Sequence, residues 1–383
     1  MGWFIRILIH GILFHGALST MRPLISYRAL DNGLDHAWLG VFSAALSLVP
    51  LLIALPVGRW VDLHDERPAY LAGSALLTVA AFGLAWAHTP AAIIACSVVA
   101  GVGLILAMVA AQAMVANRSP RATFDNRFGL FALAGSAGQL LGPLLLSGWA
   151  VTDPADLTTP AFLGTGVAAA LSLLTLVGMS APAPRDRTPP ARAPRRTRAA
   201  EVLREPGVAP AIAASLTVLA AIDMTIVYLP ALGEERGISA AAVSLLLAVR
   251  AAASVVSRAL LGVAVARRGR HSVLIASLVV SAAAVAALAA PLPLWGLAAA
   301  LAVAGLGLGI GQPLTMAWVA DAARPSARAT AMALRMSGNQ LGQTTLPLVA
   351  SAVAGGVGVT AVFAAFGAAL AAMAAALTRR RNP

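Results

Sequence analysis

Apolar residues run along this chain in stretches of about twenty, separated by short clusters of arginine, proline, glycine or acid. A helix rising about 1.5 Å per residue needs that length to cross a hydrocarbon core, whereas a membrane strand needs only about ten residues. The pattern predicts twelve helices, at 4–28, 37–58, 69–88, 91–116, 127–150, 160–180, 208–231, 239–264, 271–290, 294–318, 328–353 and 357–378. The first stretch resembles a signal peptide in position only. Arg6 stands alone, His10, His15 and Arg22 interrupt the run, and similar stretches follow, so it reads as a retained helix. The predicted class is an all-α polytopic membrane protein.

Between the stretches, arginine alternates in density. With the N-terminus inside, the inner loops carry Arg59 and Arg67, then Arg118, Arg121 and Arg127, then Arg267, Arg268 and Arg270, then Arg324 and Arg328, and the tail carries Arg379 to Arg381. The outer loops hold Arg28 and Arg236 among acids such as Asp31, Asp153 and Glu234. This bias predicts a multi-pass protein of the cell (inner) membrane with both termini cytoplasmic. Residues 181–207 are rich in proline and arginine without apolar period, and read as a flexible linker lying at the inner leaflet. They divide the chain into bundles of six helices at 1–180 and 208–383.

Composition agrees with the pattern. Of 383 residues 59% are hydrophobic and 11% charged, with mean hydropathy +0.84, which leaves too little polar surface to cover a water-soluble fold of this length. The net charge of +12 comes entirely from arginine, clustered mainly between the apolar stretches, so it argues for membrane orientation and against nucleic acid as a partner. One cysteine, Cys96, excludes an intrachain disulfide and a paired-cysteine metal site. No phosphate-binding loop, HExxH or GxSxG occurs, so neither ATP hydrolysis nor a familiar enzyme chemistry is expected, and no cofactor.

The halves repeat at a constant offset of 204 residues. Ala100-Gly101-Val102-Gly103-Leu104 recurs as Ala304-Gly305-Leu306-Gly307-Leu308; Gly138-Gln139 with Pro143 recurs as Gly342-Gln343 with Pro347. Gly58 matches Gly262, and Gly33 matches Gly237. After the second stretch, Gly58 is followed by Asp62, Asp65, Glu66 and Arg67; the second copy, from Gly262, ends Arg267-Arg268-Gly269-Arg270. The fifth stretch spaces Gly129, Gly138, Gly142 and Pro143 as Gly-x8-Gly-x3-Gly-Pro.

In these features the chain resembles the major facilitator superfamily, whose two parallel six-helix repeats are joined by a cytoplasmic linker. The loop after the second stretch resembles its signature at Gly58, Asp62 and Arg67, with Asp65 in place of a glycine and Glu66 in place of an arginine. The second copy keeps Gly262, Gly269 and Arg270 and lacks the acid. The resemblance implies alternating access, with Asp62 steadying the outward-facing state by holding a neighbouring helix N-terminus or an arginine. The fifth stretch is similar to the glycine motif of the drug:proton antiporter branch, although Leu146-Ser147 replaces its closing glycine pair. Gly135, Gly138 and Gly142 share a face that admits another helix closely, and Pro143 and Pro347 each remove one helical N–H.

Polar residues inside the stretches are the candidate chemistry. Asp223 and Arg250 lie at matched depths, roughly 20 Å from the inner edge. A charge there costs roughly 2.5–3.5 kcal/mol on insertion scales, so a partner or a purpose is expected. The reading pairs Asp223 with Arg250, or with Arg22, in a central cavity, and lets a proton on Asp223 release the pair. A static pair fixing helix register is the alternative. His15 suits a proton relay or a hydrogen-bonded packing role. Gln112, Gln312, Asn339 and Gln340 suit substrate hydrogen bonds or helix contacts, and Arg335 is expected to snorkel to the cytoplasm. Together these predict a secondary transporter, not an enzyme, with a small molecule, protons and the bilayer as partners, functional as a monomer. Proton-coupled efflux is the leading expectation. Proton-driven import of a small polar or anionic metabolite, served by Arg22 and Arg250, is the first alternative and a transporter-like sensor the second.

Overall fold

The computed structural model describes residues 2–32, 37–149, 158–180, 183 and 198–379. Its elements are helices α1 (Gly2–Asp31), α2 (Ala37–Leu63), α3 (Glu66–Ala85), α4 (Pro90–Arg118), α5 (Phe124–Trp149), α6 (Thr158–Leu176), α7 (Ala199–Leu203), α8 (Val208–Glu235), α9 (Ala240–Arg268), α10 (Arg270–Ala287), α11 (Leu294–Ala322), α12 (Arg328–Val357) and α13 (Val359–Arg379), with single 3-10 turns before α5 and α12. Among the described residues nine helices are long and apolar enough to cross a membrane; α2, α5 and α12 are the other long ones. Short caps set the boundaries. Thr89 Oγ1 accepts from Ala92 N at 3.3 Å ahead of Pro90, and Ser239 Oγ accepts from Ala242 N at 3.3 Å. Gly269, at φ +76°, closes α9 and lets α10 begin at the next residue, a conformation that other residues rarely adopt.

Two compact units appear. One holds Met1–Arg121, Phe131–Val202 and Ala323–Ser337; the other holds Ala122–Leu130, Leu203–Ala322 and Gly338–Pro383. The division follows the sequence halves except at two places, because the first residues of α5 group with the second unit and those of α12 with the first. Most of the predicted linker, with Gly33 and the last arginines of the tail, lies outside the described residues. Its end departs from expectation: residues 199–203 are helical, and Val202 is fully buried.

Within each unit, glycines bring helix backbones together at the same register. In the first, a Cβ on Gly101 would lie 2.6 Å from Leu46 O of α2, and one on Gly103 would lie 2.7 Å from Gly73 O of α3. In the second, a Cβ on Gly305 would strike Arg250 O of α9, and one on Gly307 would lie 2.8 Å from Ser277 O of α10. Leu46 and Arg250 are 204 residues apart, as are Gly73 and Ser277. The sequence offset is thus also an offset of contacts. Gly135, Gly138 and Gly142 pack as one face on α1, against His15, Ile12, Gly16 and Thr20. Gly129 lies on another face, against Leu261. Helices α5 and α12 continue through Pro143 and Pro347, whose side chains are outside the described set.

Candidate functional site

In the first unit, Asp62 occupies the last turn of α2, one turn beyond Gly58. Its Oδ1 accepts from Ala329 N and its Oδ2 from Thr330 N, both at 2.8 Å. These N–H groups open α12 and have no partner inside their own helix, so one carboxylate serves two donors at the positive end of the helix dipole. Gly58 makes the approach possible. A Cβ there would lie 2.6 Å from Ala333 Cβ and 2.8 Å from Ala329 O.

The two departures from the family signature are engaged next to this contact. Arg118, at the end of α4, donates through Nη2 to Asp65 Oδ1 and to Glu66 Oε2, each at 2.7 Å. Asn117 Nδ2 donates to Glu66 Oε1 at 2.7 Å, and Glu66 is fully buried. Arg328 Nη1 in turn donates to Ala116 O at 3.2 Å. Asp65 also caps α3, accepting from Arg67 N at 3.1 Å. Partial burial pushes its carboxyl up, but the Arg67 N–H and the Arg118 charge outweigh this and hold it below the usual carboxylate value.

The second unit builds the corresponding place with opposite charge. Arg270 donates through Nε to Asp125 Oδ1 at 2.7 Å, through Nη2 to Asp125 Oδ2 at 3.1 Å, and through Nη1 to Asp321 Oδ2 at 2.9 Å. Asp125 lies in the first turn of α5, and a Cβ on Gly262 would lie 2.8 Å from the adjacent Asn126 Oδ1. By the 204-residue offset, Glu66 corresponds to Arg270, Asn117 to Asp321 and Ala329 to Asp125. In each copy an arginine holds two acids, but the matched position supplies an acid, Glu66, in one copy and the arginine, Arg270, in the other.

Further into the helices, each unit carries its own polar groups. In the first, His15 Nδ1 lies 2.9 Å from Gly11 O of its own helix. His10, which the sequence reading left unassigned, is fully buried, with Nδ1 2.8 Å from Tyr70 Oη and Nε2 2.8 Å from Ser74 Oγ. Ser74 Oγ donates to Tyr70 O, so it accepts from His10 Nε2–H, and Tyr70 Oη donates to Nδ1. That arrangement joins α1 to α3 through a neutral imidazole. Gln112 Oε1 accepts from Arg335 Nη2 at 2.9 Å. This corrects the expectation for Arg335, which is 2% exposed rather than snorkelled, because a side-chain amide within reach solvates its guanidinium. Arg28 is corrected similarly. It is not in a loop but in the last turn of α1, buried and donating to Thr158, Thr159 and Ala85 O.

In the second unit, Ser215 Oγ donates to Asn339 Oδ1 at 3.1 Å, and Gln312 Nε2 donates to Ser215 O at 2.9 Å. Gln312 and Asn339 therefore meet through α8, while Gln340 stands half-buried beside them and Gln112 belongs to the other unit. Asp223 Oδ2 accepts from Gln343 Nε2 at 2.9 Å. The expected direct ion pair with Arg250 is replaced by an electrostatic interaction at longer range. Arg258, unassigned from sequence, donates through Nε to Gly309 O at 2.8 Å. The Arg22 side chain lies outside the described residues. Among the described residues no three His, Cys, Asp or Glu side chains gather to hold a metal ion.

Comparison with known proteins accounts for this architecture. The model of the Major Facilitator Superfamily matches residues 7–237 and 211–383. The efflux pump azaK of Aspergillus niger is 26% identical over 211 residues, 51% of this chain and 44% of the pump, so the match spans less than half of that relative's length. Among solved structures, the human organic anion transporter MFSD10 superposes with a TM-score of 0.79 at 18% identity, covering 98% of both chains. The E. coli fucose:proton symporter FucP superposes at 0.81 and 16%, also covering 98% of both. A bacterial homologue of the iron transporter ferroportin gives 0.80 at 12%, covering 99% of both. The chain belongs to the Major Facilitator Superfamily: it is a multi-pass membrane transporter of twelve-helix, two-domain fold, and not an enzyme.

Proposed function

We propose that this member of the superfamily moves a small molecule across the inner membrane by alternating access, coupled to protons through Asp223. The observation that carries this is the setting of Asp223. It lies mid-way along α8, it is only half-buried, and its Oδ2 accepts from the neutral amide of Gln343. A carboxylate that accepts from a neutral amide can gain a proton and keep that contact, and an acid at that depth is functional by default. His15, bonded within its own helix, stays the candidate relay. Asp62 and Arg270, each holding the first turn of another helix, are the candidates for steadying one conformational state.

Efflux is the direction supported by the glycine pattern of α5 and by the likeness to an efflux pump. One observation favours the second reading, uptake of an anion together with a proton: Arg250 in the same unit carries no contact ion pair among the described residues.

The test is proton movement on ligand binding to the purified protein in weakly buffered detergent, read with a pH dye against a panel of lipophilic cations and organic anions. Release on binding indicates exchange, and uptake indicates co-transport. Either should vanish in Asp223→Asn. A folded protein that binds a panel member without proton movement refutes the coupling.

A further inference from the structure

We infer that Arg250 is the anchor for an anionic group on the transported molecule, and that the substrate is an organic anion of the carboxylate type. The inference deepens the transport reading and rests on it only in supposing that a substrate exists.

Arg250 lies ten residues into α9, about 15 Å along the helix from its first residue. It is 8% exposed, and its Nε is buried without a hydrogen-bond partner. No hydrogen bond or ion pair engages its guanidinium among the described residues. Other arginines inside the helices are engaged: buried Arg28 by two threonines and a carbonyl, half-buried Arg258 by Gly309 O, buried Arg335 by Gln112. Its charged neighbours are Asp223, held by Gln343, and Arg258, eight residues further along the same helix. Among the described residues two cations therefore face one carboxylate, and that carboxylate already accepts from Gln343.

The repeat shows that the fold does not require this arginine. Its counterpart 204 residues earlier is Leu46, and that of Arg258 is Ala54; both are buried apolar residues of α2. In both copies the packing glycine meets the backbone carbonyl at this position, Leu46 O in one and Arg250 O in the other. The helix contact is thus made without the side chain, and one copy fills the slot with leucine. A buried guanidinium that the helix packing does not need, and that keeps unused donors, calls for a ligand. The planar fork selects its chemistry: two parallel N–H donors match a carboxylate or a similar oxyanion and repel a cation. An anion on Arg250 and a proton on Asp223 favour one another electrostatically, so such a substrate would load with a proton rather than in exchange for one.

The experiment is thermal unfolding of the full chain in detergent, followed by tryptophan fluorescence. The ligands are benzoate, 2-naphthoate and octanoate, their primary amides, and tetraphenylphosphonium. The carboxylates should raise the unfolding temperature and the amides should not. Arg250→Gln should weaken the carboxylate effect by about tenfold or more in apparent Kd. Arg250→Lys should retain part of it, and Asp223→Asn should strengthen it. Arg250→Leu copies the first half and should fold with an unliganded unfolding temperature no lower than the parent. Stabilisation by amides or tetraphenylphosphonium alone overturns the inference. So does a carboxylate effect untouched by Arg250→Gln, no carboxylate effect at all, or an Arg250→Leu chain that cannot fold. Because no proton is measured, each of these results leaves the coupling role of Asp223 standing or falling on its own test.

Discussion

Removing the Asp62 carboxylate should loosen the first turn of α12 by a calculable amount. Two backbone N–H groups, those of Ala329 and Thr330, each donate to one of its oxygens at 2.8 Å. A hydrogen bond to a charged group contributes about 1.5–3 kcal/mol net, and a lost N-cap costs about 0.5–2 kcal/mol. The contact is only part-buried, and water can reach vacated donors, so the lower ends apply. Asp62→Asn keeps one acceptor and loses the charge, a loss of about 1.4 kcal/mol or tenfold in the local opening equilibrium. Asp62→Ala loses both acceptors, about 2–3 kcal/mol, or roughly 30- to 150-fold. Hydrogen exchange resolved on a peptide spanning 325–337 reads this directly, since protection there reports local opening. The first turn of α5, held by Arg270 through Asp125, is the internal control and should not change. Unchanged exchange at Ala329 and Thr330 in Asp62→Ala would refute the capping argument.

Other expectations follow from the same geometry. Glu66→Ala removes the fully buried partner of Arg118 and Asn117 and should lower stability by about 3 kcal/mol, whereas Asp65→Asn, at a half-exposed partner of the same arginine, should cost under about 1 kcal/mol; chemical denaturation in detergent compares them. Because the folded Asp65 carboxyl titrates below its ordinary value of 3.8, its small contribution is complete above that value and is lost as pH falls through the depressed one. Asp65→Asn should therefore flatten the acid limb of a stability–pH curve below about pH 4 and leave neutral stability nearly unchanged. Gly138→Leu should prevent α5 from closing on Ile12 and Gly16 of α1 and abolish folded expression, read by size-exclusion chromatography.

The number and order of the long helices were legible in the sequence because a span length imposes its own period. Boundaries slipped where the signal was weakest: α2 runs to Leu63, past the predicted end at 58, because Arg59, Trp60 and Asp62 break the apolar run without breaking the helix. The glycine face of α5 was readable from spacing alone. What lay out of reach was pairing at long sequence separation. Arg118 finds Glu66 across 52 residues, and Arg270 finds Asp125 across 145. One chain read alone cannot show which distant side chain a changed signature position meets, so Asp65 and Glu66 looked like losses. Arg335 and Arg28 were misjudged for a related reason. Depth along a helix is visible in sequence, but the face on which an amide, a hydroxyl or a carbonyl waits is not.

The contact between packing glycines and the carbonyls of residues 46 and 250 bears on how such a fold can change. Where two helices meet backbone to backbone, the adjoining side chain contributes little to holding them together, and leucine and arginine both occupy the slot. Duplication therefore leaves a transporter with positions at mid-depth that are open to mutation at small cost in foldability. New selectivity can arise there by single substitutions, in one half at a time, while the other half keeps its packing.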